Sequence, residues 1–143
     1  MPDNHPAGEA GEKDVIRKVN CPNCGKKLIR LPKNYPLCDV QCVGCHFRAQ
    51  VKTNNTSPKK EIFGAGWEIM DKVLKSGYMV PPLIVNFKWK EKGRQRQEIL
   101  FYPFIPKTHL KKRVLSRKAK RGQYKMFNYV RLDEIPRFTL YER

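Results

Sequence analysis

Acidic residues are scarce in this chain: thirteen Asp and Glu stand against thirty Lys and Arg in 143 residues, a formal net charge of +17. A field of that sign suits a polyanionic partner, because it raises the local concentration of nucleic acid and speeds encounter at low salt. Long apolar runs are missing too, which excludes a transmembrane helix. The N-terminus has no apolar signal core, so a cytoplasmic, reducing setting is expected and a disulfide framework for the five cysteines is disfavoured. There is no internal repeat. Neither His46 nor His109 has the partner arrangement of a general base, and each reads as a polar surface residue with a chance of touching phosphate. Nucleophilic catalysis by Ser or Cys finds no support.

The cysteines are few but well placed. Cys21/Cys24 and Cys42/Cys45 are two Cys-x2-Cys knuckles seventeen residues apart, and Gly25 follows the first. Two thiolates two residues apart can point into one tetrahedron, and this spacing is that of a zinc ribbon. A structural Zn2+, one per chain, is expected on Cys21, Cys24, Cys42 and Cys45. The odd Cys38 reads as a small buried hydrophobe, not a fifth ligand. Closed four-thiolate sites are structural more often than catalytic, so the chemistry must lie elsewhere.

The length allows one domain. Residues 1–14, rich in Pro, Gly, Asp and Glu and poor in large apolar side chains, read as a flexible lead-in, with residues 15–143 as a single zinc-containing domain. Phe47, Ala49 and Val51 alternate with His46, Arg48, Gln50 and Lys52, the period-two pattern of a half-buried strand that puts Gln50 and Lys52 on its polar face. Trp67, Met70, Val73 and Leu74 recur at helical spacing with Gly77 as a stop. Residues 83–89 read as a strand, Gly93 centres a hairpin turn, and residues 99–105 form a strand covered on both faces. Residues 108–120 are basic with some helical periodicity and read as helix or ordered loop. Residues 126–132 look like a last strand, and residues 138–141 an edge.

Asp39 lies in a short extended segment just before the second knuckle. If the knuckle turns the chain back, this segment pairs with the strand that carries Gln50 and Lys52, and the three side chains converge. An oxygen-rich pocket with a lysine beside it can hold Mg2+ while the lysine orients a water or steadies phosphate charge. No acid occurs between Glu98 and Asp133, whereas Lys107, Lys111, Lys112, Arg113, Arg117, Lys118, Lys120, Arg121 and Lys125 crowd that stretch. With Leu110, Val114 and Leu115 punctuating the run, it reads as a DNA-contacting segment inside the fold. Binding of RNA through the same basic loop stays open.

Pro36-Leu37-Cys38-Asp39, ten further residues and Gln50-Val51-Lys52 resemble the P-D…(D/E)-x-K signature of restriction-endonuclease-like nucleases, with Gln where an acid is usual. The Cys-Pro-Asn-Cys-Gly knuckle upstream narrows this, as does the position of Asp39, three residues before the second knuckle. With Gln50 five residues after that knuckle, the pattern resembles the DpnI-like restriction endonucleases over residues 20–136. Gly64-Ala65, opening a short helix, Phe104-Ile105-Pro106-Lys107 and Asp133-Glu134-Ile135-Pro136 fit the same comparison.

The resemblance implies an α+β (α/β) fold: a restriction-endonuclease-like mixed sheet flanked by helices, with a built-in four-cysteine zinc site. It implies Mg2+-dependent cleavage of double-stranded DNA at adenine-methylated sites, and a separate DNA-reading domain or protein as partner, since the chain ends before one could begin. Asp39, Gln50 and Lys52 take the catalytic positions, with Asp39, the Gln50 amide oxygen and the Val51 carbonyl on Mg2+. Three readings of Gln50 stay open. It serves as a neutral ligand; or Glu61 or Glu68 supplies the missing carboxylate; or the site is inactive and the protein is a non-catalytic zinc-ribbon DNA or RNA binder.

Overall fold

The computed structural model describes residues 5–114 and 125–143. Helix α1 (His5–Lys18) leads into strands β1 (Leu28–Arg30), β2 (Val40–Cys42), β3 (Arg48–Asn54) and β4 (Ile62–Gly66). Helix α2 (Trp67–Lys75) precedes β5 (Leu83–Glu91), β6 (Arg94–Tyr102), β7 (Leu110–Val114), β8 (Lys125–Tyr129) and β9 (Phe138–Glu142). The result is a mixed α+β architecture, a sheet flanked by two helices.

Alternation in the central strands builds the two faces. Leu83, Val85 and Phe87 of β5, with Leu100 and Tyr102 of β6, are buried against α2 and a second sheet. Ile84 and Ile99 point the other way and meet Val15, Val19, Ala49 and Val51. The large sheet has the order β1-β2-β3-β5-β6-β9 and is antiparallel except where β3 runs parallel to β5. A smaller sheet, β4-β8-β7, covers one face. The hairpin joining β5 to β6 turns at Lys92 and Gly93, both at positive φ, the backbone that matches strand twist in a two-residue turn.

Of residues 1–14, expected to be a flexible lead-in, residues 5–14 belong to α1, and residues 1–4 lie outside the described residues. Hydrophobe counting misses this helix because its anchor is largely polar. Asp14 is 4% exposed and sits on the sheet among Asn86 and Gln97, both buried, while Val15 fills the adjacent apolar layer. Gly11 lets the helix come close: a Cβ there would lie 1.8 Å from the Thr53 hydroxyl oxygen of β3. Arg17 and Lys18 close the helix, where cations complement its dipole.

Three further expectations change in detail. Gly64 and Ala65 lie in β4 rather than opening a helix, which starts at Trp67. Of residues 108–120, expected to be helix or ordered loop, Leu110–Val114 form β7, because β8 offers an antiparallel partner from Leu110↔Tyr129 to Val114↔Lys125; residues 115–120 lie outside the described residues. His109 is not a surface contact. It is 9% exposed, and its Nε2 lies 3.5 Å from Glu134. The strand at residues 83–89, the helix stopping before Gly77 and the edge strand β9 are as read. Among the described residues no helix is long and apolar enough to cross a membrane.

Candidate active site and cysteine cluster

The second knuckle does turn the chain back. β2 and β3 pair antiparallel with Val40 opposite Ala49 and Gln41 opposite Arg48. One step on, the Asp39 N–H donates to the Ala49 carbonyl at 2.9 Å, and there the ladder ends. Beyond it the Asp39 carboxylate takes over as acceptor, receiving the Val51 N–H at 2.7 Å. On the other side of β3 the Gln50 N–H donates to the Pro82 carbonyl at 2.9 Å. Backbone groups alternate along a strand, so the Val51 carbonyl points the same way as its N–H, toward Asp39. Leu37, two residues before Asp39, holds a left-handed backbone (φ 60) while its side chain packs on the core. That conformation is costly for a branched residue and persists where packing enforces it.

Gln50 is 5% exposed, so the strand face expected to be polar is covered at this position. The cover is β8: the buried Tyr129 hydroxyl donates to the Gln50 amide oxygen. Burial pushes the Tyr129 pKa well up, with Asp39 and Cys38 adding to it, so the hydroxyl stays a proton donor. Lys52 is half-buried, and its Nζ stands 5.9 Å from the centre of the Phe63 ring. Burial lowers its pKa from 10.5, and the charges of Asp39 and Glu12 oppose this only in part.

Glu12 was not anticipated at this site. It comes from α1, where its carboxylate interacts with Asp39 while Arg30 Nε donates to its Oε2 at 3.2 Å. Burial raises the Glu12 pKa above 4.5, Asp39 raises it further, and Arg30 acts against both. The two acids considered from the sequence lie elsewhere. Glu61 is exposed and accepts from Asn128 Nδ2 at 3.0 Å, and Glu68 is exposed on α2. A usable signal for Glu12 existed in the recurrence of Gly11, Val15 and Val19 at i, i+4, which marks one helix face.

Oxygen donors of this kind, a carboxylate, a backbone carbonyl and an amide oxygen, fit a hard divalent cation such as Mg2+. The sulfur site is separate and suits a softer ion. Cys21, Cys24, Cys42 and Cys45 bring their Sγ atoms within 4.8 Å of one another, with Cys21 to Cys45 at 3.7 Å and Cys24 to Cys42 at 3.4 Å. A tetrahedral ion with bonds of about 2.3 Å needs sulfurs about 3.8 Å apart, so the cluster can hold zinc with little adjustment. The knuckle backbones support it: the Asn23 N–H donates to Cys21 Sγ and the Gly44 N–H to Cys42 Sγ, each at 3.3 Å. Gly25 at φ 81 makes the return after the first pair. Cys38 stands outside the cluster and is half-buried rather than buried.

Of the basic residues singled out, Lys111, Lys112 and Arg113 are exposed on β7, and Lys107 is exposed in the short turn before it. Arg113 lies over Phe63, 5.4 Å from the ring centre, and Lys112 lies over Trp67 at 5.8 Å. Phe63 therefore links β7 to Lys52. Lys125 begins β8, and Arg117, Lys118, Lys120 and Arg121 lie outside the described residues.

Comparison with curated proteins found no match to the chain. The DpnI family model, described as the Dam-replacing family, matches residues 5–140, a span that begins with α1 and takes in the cysteine cluster, Asp39, Gln50 and Lys52. The chain belongs to this family, as a DpnI-like restriction endonuclease domain.

Proposed function

We propose that the protein is a magnesium-dependent endonuclease acting on double-stranded DNA, with a preference for adenine-methylated sites that follows its family. The observation that carries this reading is the 2.7 Å bond from the Val51 N–H to Asp39, which joins the P-D carboxylate to the Q-x-K strand where the β2–β3 ladder ends. Asp39, the Val51 carbonyl and the Gln50 amide oxygen hold Mg2+. The amide oxygen has two lone pairs, so it can accept from the Tyr129 hydroxyl, which fixes the side chain, and would still have one to offer an ion. Bound there, Mg2+ supplies positive charge to the phosphate and acidifies the attacking water.

Lys52 orients that water and steadies the charge that builds on the phosphate. Its half-buried stem and the Phe63 ring position Nζ, on which the charge of Asp39 acts. Lys107, Lys111, Lys112 and Arg113 take the DNA backbone on the surface next to Phe63, in line with their exposure and positive charge. A structural Zn2+ on the four cysteines ties the turn between the catalytic segments to the first knuckle.

The test is direct. Plasmids from hosts with and without adenine methylation are incubated with the protein and Mg2+ or Mn2+, beside Asp39→Ala and Lys52→Ala. The wild type is expected to cut, methylated plasmid preferentially, and each variant to lose at least about a hundredfold in rate. A wild type that binds DNA tightly yet cuts neither plasmid with either metal would leave a non-catalytic binder.

A further inference from the structure

We propose that Glu12, on helix α1, supplies the second carboxylate of the catalytic cation site, in the place that Gln50 leaves neutral. The inference rests on the reading of Asp39, Gln50 and Lys52 as a nuclease site. A divalent cation held by one carboxylate and neutral oxygens binds weakly, because charge count sets much of the affinity of hard cations. Gln50 adds no charge, and its amide oxygen already accepts from Tyr129. Glu61 and Glu68 are both exposed, and Glu61 is engaged with Asn128.

Glu12 is placed by close packing. Gly11 sits against Thr53 so tightly that no side chain fits between them, and Thr53 is next to Lys52 on β3. The following residue on the helix, Glu12, is thereby carried to the side of β3 past the end of the β2 ladder, where its carboxylate interacts with that of Asp39. Its carboxylate is mostly covered, 19% exposed, and Arg30 grips Oε2 from β1 at 3.2 Å. Two partly covered carboxylates interact here, and their mutual repulsion is a cost that a shared divalent cation removes. An ion pair with Arg30 accounts for Glu12 being near β1. It does not account for Glu12 facing Asp39.

The experiment measures Mn2+ binding by electron paramagnetic resonance on the full zinc-loaded chain, which needs no DNA and no turnover. Mn2+ prefers oxygen donors and leaves the thiolates to zinc. Glu12→Gln keeps the size and the hydrogen bond with Arg30 but removes the charge, and it should weaken Mn2+ binding at least about tenfold. Glu9→Gln alters the same helix and the same arginine, whose guanidinium lies 3.9 Å from Glu9, and should leave affinity unchanged. Asp39→Asn should abolish binding.

If Asp39→Asn loses Mn2+ while Glu12→Gln keeps it, this inference falls and the nuclease reading stands. If Asp39→Asn also keeps it, both fall. Equal losses in Glu9→Gln and Glu12→Gln would show a general effect on α1 and overturn the proposal. Should Glu12→Gln also lower the melting temperature, the double variant Glu12→Gln/Gln50→Glu decides. Relocating the carboxylate restores Mn2+ affinity if Glu12 is a ligand, and failure to restore it overturns the claim.

Discussion

Replacing Asp14 by Ala tests whether α1 is part of the folded body. The carboxylate accepts from Gln97 Nε2 at 2.7 Å and Asn86 Nδ2 at 3.2 Å, and pairs with Arg17 at 2.7 Å, Lys18 at 3.2 Å and Lys88 at 3.1 Å. These interactions are unequal. Arg17 is 72% exposed and Lys88 37%, so both can return to water and their pairs contribute little. Asn86 and Gln97 are 0% and 5% exposed and have no such route, although Gln97 keeps its bond to Asn86 Oδ1 at 2.7 Å. Stranding one or two buried amide donors, at about 1–3 kcal/mol each, and loosening Lys18 brings the expected loss to about 3 kcal/mol.

Urea unfolding at pH 7 reads this loss directly, and Asp14→Asn, which keeps an acceptor, should lose roughly half as much. The pH dependence has a definite sign. Burial alone would raise the Asp14 pKa, but Lys88, Gln97, Asn86 and Lys18 together hold it well below 3.8. Its contribution is therefore fully present above the unfolded value and lost as pH falls through the folded one. Wild type should lose more stability than Asp14→Asn as pH falls from about 5 to 3. A cost below about 1 kcal/mol for Asp14→Ala, with matching acid profiles, would refute the anchoring of α1 by this network.

Elemental analysis should find one zinc per chain, chelation should unfold the protein, and Cys38→Ser should keep its zinc whereas Cys42→Ser should not. Loss of zinc from Cys38→Ser would show the ligand set to be wrong. Neutralising Lys111, Lys112 and Arg113 together should weaken DNA binding and reduce the slope of log K against log salt by about 0.9 for each phosphate that the variant no longer neutralises. An unchanged slope in that triple variant would place the DNA on another surface.

The cysteine knuckles, the Asp39 hairpin and the strand from residue 83 could be read from sequence because each rests on local spacing, whereas the strand expected at 99–105 runs over Arg94–Tyr102. Two thiolates two residues apart, or alternation at period two, already set which way neighbouring side chains point. The class of fold came from the family resemblance that those motifs carry, not from the spacing itself. Tertiary structure decided what covers Gln50, since Tyr129 is 79 residues away and meets it only when β8 folds over β3. It also made a strand of β7, whose run Leu110-Lys111-Lys112-Arg113-Val114 has weak intrinsic preference until β8 supplies hydrogen-bonding partners. The largest difference is α1. Its few large apolar residues suggest a segment unable to join a core, yet a glycine that permits close approach and a carboxylate that meets two buried amides dock it on the sheet. Those partners lie 42 to 83 positions along the chain, so the reason Glu12 stands beside Asp39 exists only in three dimensions.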